Sequence, residues 1–109
     1  MAGEVLPQIV ALRLKDKDAK LVLVDIRPEE ERTFAHIKGD VHIPTEKCAS
    51  ELKKYEAKDI VLYCHHGVRS ALLADELESK GFKNVKSLCG GIAAWSDKVD
   101  KTVPQYELH

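Results

Sequence analysis

Cys64, His65, His66, Gly67, Val68 and Arg69 place a thiol, two imidazoles and a guanidinium within six consecutive residues. The apolar run Ile60-Val61-Leu62-Tyr63 just before them has the length and the β-formers of a buried strand. From Ser70 onward the pattern turns helical, with Ala71, Ala74 and Leu77 at spacing three and Leu73 and Leu77 at spacing four. Cys64 is thereby expected at the carboxyl end of a strand, where open α/β sheets bind ligands. It also precedes a helix N-terminus, whose unpaired N–H groups and partial positive charge favour an anion. With the fixed charge of Arg69 nearby, each feature favours thiolate over thiol. Gly67 allows a turn that a residue with a Cβ would strain. A short loop with its N–H groups turned inward would cradle the sulfur and an anionic group attached to it. Buried strand-end cysteines are often inert, but the strand–Cys–Gly–Arg–helix setting points to a reactive thiolate.

The elements that must hold this loop are legible on either side. Gly81 is placed as a left-handed helix stop, with Phe82 covering the last turn and Glu76 and Lys80 paired on the solvent side. Pro7 suits the first position of a helix whose apolar face is Leu6, Ile9, Val10 and Leu14. Residues 15–20 read as a solvated connection. Leu21-Val22-Leu23-Val24 is a continuous apolar run, as in strands covered on both faces. Pro28-Glu29-Glu30-Glu31-Arg32 starts a short helix with acidic residues in its first turn, and Phe34 is expected to anchor it to the core. Gly39 turns the chain into Val41-His42-Ile43. Residues 45–52 read as a helix entry, with Cys48 inert. Val85-Lys86-Ser87-Leu88 is the last strand, and Gly90-Gly91 allows a tight passage into a helix carrying Trp95 in the core. Residues 98–109 form a polar tail, with Tyr106 packed back. Five strands follow: near Val5, Leu21–Asp25, Val41–Ile43, Ile60–Cys64 and Val85–Leu88. Their alternation with helices argues an α/β fold with a mainly parallel sheet.

The chain of 109 residues is expected to form one domain, with its core over about residues 5–103. It is 44% hydrophobic and 32% charged with a net charge of −1, which gives no reason to expect a nucleic-acid or membrane surface. Neither a membrane-spanning run nor a signal peptide is read at the sequence level. Three cysteines without a framework spacing suggest reduced thiols and a cytoplasmic setting. Adjacent histidines rarely converge on one ion, so neither a metal nor another cofactor is expected.

The loop Cys64-His65-His66-Gly67-Val68-Arg69-Ser70 resembles the active-site loop of the rhodanese family of sulfurtransferases. Val24-Asp25-Ile26-Arg27, the stretch from Phe34 to Pro44 and Leu88-Cys89-Gly90-Gly91-Ile92-Ala93-Ala94-Trp95 resemble three further motifs of that family, in the same order. The resemblance spans roughly Val5 to Val103. It implies a three-layer domain with a five-stranded, mainly parallel sheet flanked by helices, in strand order 1-5-4-2-3. It implies sulfur transfer through a Cys64 persulfide, from a small anionic donor such as thiosulfate or from a persulfide, to a thiol or protein acceptor.

In that setting His65, His66 and Arg69 would attract the donor at the rim, with the histidines losing their pull as they deprotonate. Asp25, Arg27 and Ser70 would support the loop. Asp25, a strand-end carboxylate, either pairs with a loop or helix cation or fixes Arg69. Arg27 either touches substrate or pairs with a nearby glutamate. By resemblance His36 is structural, its ring bonded to local backbone. Cys89, at the end of a neighbouring strand, is either a passive thiol or a resolving partner for Cys64. Two other activities compete. One is a cysteine phosphatase, whose loops hold one more residue between cysteine and arginine and which needs a general acid. The other is a persulfide carrier or docking module without turnover.

Overall fold

The computed structural model describes residues 2–107, so Met1 and the last two residues of the expected tail lie outside the described residues. Five strands, β1 (Gly3–Val5), β2 (Leu21–Asp25), β3 (Val41–His42), β4 (Asp59–Tyr63) and β5 (Val85–Leu88), form one sheet in the order β1-β5-β4-β2-β3. Every pairing is parallel. β4 therefore lies at the centre, flanked by β5 and β2, and its carboxyl end is the place where the adjoining strands stop together.

Period-two alternation sends the strand residues to two separate cores. Val22, Val24, Ile60, Leu62 and Cys64 face one side. There they meet α3 (Thr45–Glu51), the 3₁₀ turn Leu52–Tyr55 and α4 (Val68–Ser79), through Cys48, Leu52, Leu73, Ala74 and Leu77. Leu23, Val61, Tyr63 and Leu88 face the other side. There α1 (Pro7–Leu14) and α5 (Gly91–Lys98) contribute Val10, Ile92 and Trp95. The result is three layers, helix on sheet on helix, matching the expected fold class. No helix among the described residues is long and apolar enough to cross a membrane.

Boundaries differ in two places that bear on chemistry. α4 starts at Val68, not at Ser70, because Gly67 takes a left-handed conformation (φ 94°) and caps the helix without a side-chain hydrogen bond. Arg69 thus belongs to the first helical turn. β4 ends at Tyr63, so Cys64 has left the strand. Phe34 is the larger departure. It is 55% exposed, because the helix before it, α2 (Glu29–Arg32), is one turn long and the core positions beyond fall to Ala35 and Ile37. The C-terminus of α4 is as expected: Gly81 has φ 106° and the Phe82 amide returns to the Leu77 carbonyl at 3.1 Å.

Candidate active site

Cys64 sits at the floor of an open pocket of about 310 Å³ lined by itself, His65, His66, Val68, Arg69 and Glu107. Two backbone amides point at its sulfur, from Gly67 at 3.2 Å and from Ser70 at 3.4 Å. The Ser70 hydroxyl lies 3.5 Å from the sulfur and 2.7 Å from the Ser87 hydroxyl, and both hydroxyls reach back to the Gly67 carbonyl. Ser87 is a residue that sequence reading missed. It is fully buried on β5, and only the β4–β5 pairing brings it under the loop.

The inward turn of the amides has a cause further along the chain. The amides of Ile92 and Ala93, at the start of α5, bond the Cys64 and His65 carbonyls at 2.9 and 3.0 Å. The two carbonyls are drawn away from the sulfur, and the polypeptide presents N–H groups to it instead. This close approach requires Gly91. A Cβ there would lie 2.5 Å from both carbonyl oxygens, and φ is already +63°. The Gly90-Gly91 pair, legible as a tight passage, is in fact the clamp of the Cys64 loop.

Of the two alternatives for Asp25, the structure shows pairing with a loop cation, Arg27, and a helix cation, Arg32. Asp25 does not touch Arg69. It is fully buried and takes the Nε and Nη2 hydrogens of Arg27 at 2.8 Å, and Arg32 at 2.9 Å. Burial alone would raise its pKa, but the bonds to Arg27 and Arg32 hold it below the ordinary carboxylate value. Arg27 does not line the Cys64 pocket, and among the described residues it donates no hydrogen bond to a glutamate. It is fully buried, and beyond Asp25 it donates to the Ala35 carbonyl and to the Tyr106 hydroxyl, each at 2.7 Å. Its neighbour two residues back claims it first, because the Asp25 carboxylate folds onto the guanidinium and the Arg27 amide together.

Arg69 instead meets Glu31, with Nη1 and Nη2 at 3.1 and 2.8 Å from the two carboxylate oxygens. A cation in the first turn of a helix opposes the dipole, and the buried Glu31 carboxylate offsets it. Burial favours a raised Glu31 pKa, but Arg69 and then Tyr106 hold it below the usual range. Glu31 was legible only as one of three acids suited to a helix start. Tyr106 joins the two ion pairs: its hydroxyl accepts from Arg27 and donates to Glu31 Oε1 at 2.9 Å.

His65 is a wall of the pocket rather than a charged rim. Its ring is buried between His66 at 3.9 Å and Tyr106 at 4.0 Å between centroids. Burial, with the charge of His66 second, lowers its pKa below the ordinary value. His66, Val68 and Arg69 are exposed around the mouth. His36 is exposed, and it is His42 that makes the local backbone bond, through Nε2 to the Arg27 carbonyl at 2.7 Å. Cys48 is fully buried, its thiol directed at the Ile43 carbonyl and pushed up to about 12 by burial and the charges of Glu46 and Glu51. Cys89 is half-buried, its amide tied to Val5, and its side chain does not line the Cys64 pocket. No group of three metal-ligating side chains occurs among the described residues.

Known proteins share this arrangement of sequence and fold. YrkF of Bacillus subtilis (strain 168), named as a sulfur carrier protein, is 40% identical over 88 residues, which cover 78% of this chain and 46% of that protein. Thiosulfate sulfurtransferase GlpE of Coxiella burnetii is 32% identical over 80 residues, covering 72% of this chain and 75% of that one. The chain thus spans about half the length of the first relative and three quarters of the second. The solution structure of the rhodanese-like domain from the Anabaena sp. Alr3790 protein superposes with a TM-score of 0.77 at 20% identity, over 100% of this chain and 89% of that one. The family model described as rhodanese-like domain matches residues 6–98, from the start of α1 to the end of α5. By the match over nearly its whole length, and by a sheet in the order that the resemblance implies, the chain belongs to the rhodanese-like domain family.

Proposed function

We propose that the chain, working as one unit over residues 5–103, is a sulfurtransferase that carries sulfane sulfur on Cys64. The observation that carries this reading is the convergence of the Gly67 and Ser70 amides on the Cys64 sulfur, with the loop carbonyls tied back by α5. Preorganised donors of this kind stabilise negative charge at the point where it develops. The Cys64 thiolate attacks the outer sulfur of a donor such as thiosulfate. The bond between the two donor sulfurs breaks, its electron pair leaves with sulfite, and the negative charge passes to the terminal sulfur of a Cys64 persulfide. An acceptor nucleophile, cyanide in vitro or a thiol, then takes that terminal sulfur and returns the thiolate, a two-step covalent scheme. When Cys64 is ionised, Ser70 turns its hydroxyl hydrogen toward the sulfur while Ser87 donates to the Ser70 oxygen. Gly67 supplies the turn, His65 and Val68 shape the walls, and His66 and Arg69 border the mouth.

A carrier that passes its sulfur to a protein partner is the second reading. It is favoured by the clamped state of Arg69, which leaves little free positive charge to draw in a small anion, and by the name of the Bacillus subtilis relative. Intact mass after thiosulfate treatment, beside thiosulfate:cyanide kinetics, separates the two on wild type and Cys64→Ser. Turnover marks the enzyme, and a one-sulfur adduct without turnover marks the carrier. If wild type gives neither, or if Cys64→Ser retains either one, the proposal fails.

A further inference from the structure

The segment after α5 is anchored along its length and reaches the pocket at Glu107. Val103 is buried and its carbonyl accepts from Ser96, the Gln105 amide bonds the Ala93 carbonyl at 3.1 Å, and Tyr106 is wedged between His65 and Phe34. The Tyr106 ring lies nearly parallel to both, 9° from His65 and 12° from Phe34, and its hydroxyl is locked to Arg27 and Glu31. With Tyr106 so placed, the next residue, Glu107, becomes a lining residue of the Cys64 pocket. Glu107 is the one acid among the six lining residues, and its charge acts on the His65 ring. No ion-pair partner for it occurs among the described residues. Arg69, the fixed cation of the lining, spends its guanidinium on both oxygens of Glu31.

On the sulfur-transfer reading above, we propose that Glu107 is a specificity-determining residue: it makes the pocket discriminate against dianionic sulfur donors in favour of singly charged ones. The repulsion between a carboxylate and a donor scales with donor charge, so a dianion meets twice the penalty of a monoanion at the same distance. The floor of the pocket remains favourable to a single anionic sulfur, because the Gly67 and Ser70 amides act at contact range while Glu107 acts across the mouth. Both donor types undergo the same displacement at Cys64. Thiosulfate releases sulfite, and an alkanethiosulfonate releases the corresponding sulfinate with one negative charge fewer.

The test compares wild type with Glu107→Gln, using thiosulfate and methanethiosulfonate at low ionic strength. The substitution is expected to raise kcat/KM for thiosulfate about 3- to 10-fold and for the thiosulfonate by about the square root of that factor, with the difference closing at high salt. Equal gains for the two donors, or none, overturn the proposal. A second measurement does not depend on sulfur transfer: the alkylation rate of Cys64 by iodoacetate, an anion, divided by that by neutral iodoacetamide. Glu107→Gln is expected to raise this ratio about 2- to 3-fold at low salt, and an unchanged ratio overturns the assignment. If wild type accepts sulfur from neither donor while the ratio shifts, it is the sulfur-transfer reading that falls and the electrostatic role of Glu107 that stands.

Discussion

The guanidinium of Arg69 meets the carboxylate of Glu31 in a two-point pair, nitrogen to oxygen at 2.8 and 3.1 Å, at the pocket that holds Cys64. Glu31 is held in turn by the Tyr106 hydroxyl, which also accepts from Arg27, and Arg27 is bound to Asp25. Two ion pairs, one buried and one at the mouth, are thus joined by one phenol.

This arrangement makes Glu31→Gln informative. The Arg69 side chain is 44% exposed, so the ion pair alone adds at most about 1 kcal/mol. The amide also disturbs the bond from Tyr106, and the expected loss of stability is about 1–2 kcal/mol, read from the urea midpoint. Arg69 is released toward the pocket, and alkylation of Cys64 by iodoacetate should accelerate relative to iodoacetamide. Asp25→Asn is expected to cost more, about 3–5 kcal/mol, because it strands the buried Arg27 charge.

Stability should fall on acidification in a set order. His65, lowered by burial and by His66, is protonated more readily in the unfolded chain, so its contribution is present above its ordinary value of 6.5 and is lost as pH falls through its folded value. Glu31 and Asp25, depressed despite burial by Arg69 and by Arg27 respectively, contribute above their ordinary values of 4.5 and 3.8 and lose that contribution as pH falls through their lower folded values. Urea midpoints measured from about pH 7.5 to 3 should therefore decline gently below about pH 6.5 and steeply below about pH 4.5. A midpoint that rises between pH 5 and pH 4 would contradict both ion pairs.

Three glycines with positive φ separate strain from contact. Gly39→Ala (φ 92°, with nothing within 4 Å of the added carbon) should cost about 1–2 kcal/mol, the backbone penalty alone. Gly67→Ala adds contacts of 3.1 and 3.2 Å with the Gly90 amide and the Leu88 carbonyl. Gly91→Ala meets the Cys64 and His65 carbonyls at 2.5 Å, and backbone cannot yield without reshaping the loop. The expected order of thermal midpoints is Gly39→Ala, then Gly67→Ala, then Gly91→Ala lowest. Gly91→Ala should also show the slowest Cys64 alkylation of the three.

Cys48 and Cys64 should label unequally. Cys48, pushed up to about 12 and facing the Ile43 carbonyl, is expected to remain unmodified by iodoacetamide at neutral pH until the protein unfolds. Cys64 should be carboxamidomethylated in the native state, and Ser70→Ala should slow it about fivefold, the equivalent of one hydrogen bond of ~1 kcal/mol. Peptide mapping after timed quenching reads both.

What could be read in advance follows a physical rule. The β4–loop–α4 unit is local: apolar alternation, Gly67 and the helical spacing all lie within about one supersecondary element, and the structure departs from them by two residues at the start of α4 and one at the end of β4. Partners from distant segments were not legible. Glu31 looked like one more acid suited to a helix N-terminus, and Phe34 like an anchor, because neither pattern reveals that Tyr106 arrives from the far end of the chain to cover both. Ser87 lay inside a correctly identified strand, yet its role depends on register with β4. Asp25 was legible as a strand-end carboxylate that pairs with a loop or helix cation, and it does so with Arg27 and Arg32. That Arg27 is the partner was missed: two residues past the end of β2, it brings both its amide and its guanidinium onto the Asp25 carboxylate.

The dependence of the Cys64 loop on α5 has a consequence for synthesis. Ribosomes deliver the cysteine before Gly91, Ile92 and Ala93, so a nascent chain carries this thiol for a time with the Cys64 and His65 carbonyls untethered. The arrangement of amides around the sulfur is thereby postponed until the downstream helix docks, and a chain interrupted ahead of Gly91 would lack both tethers.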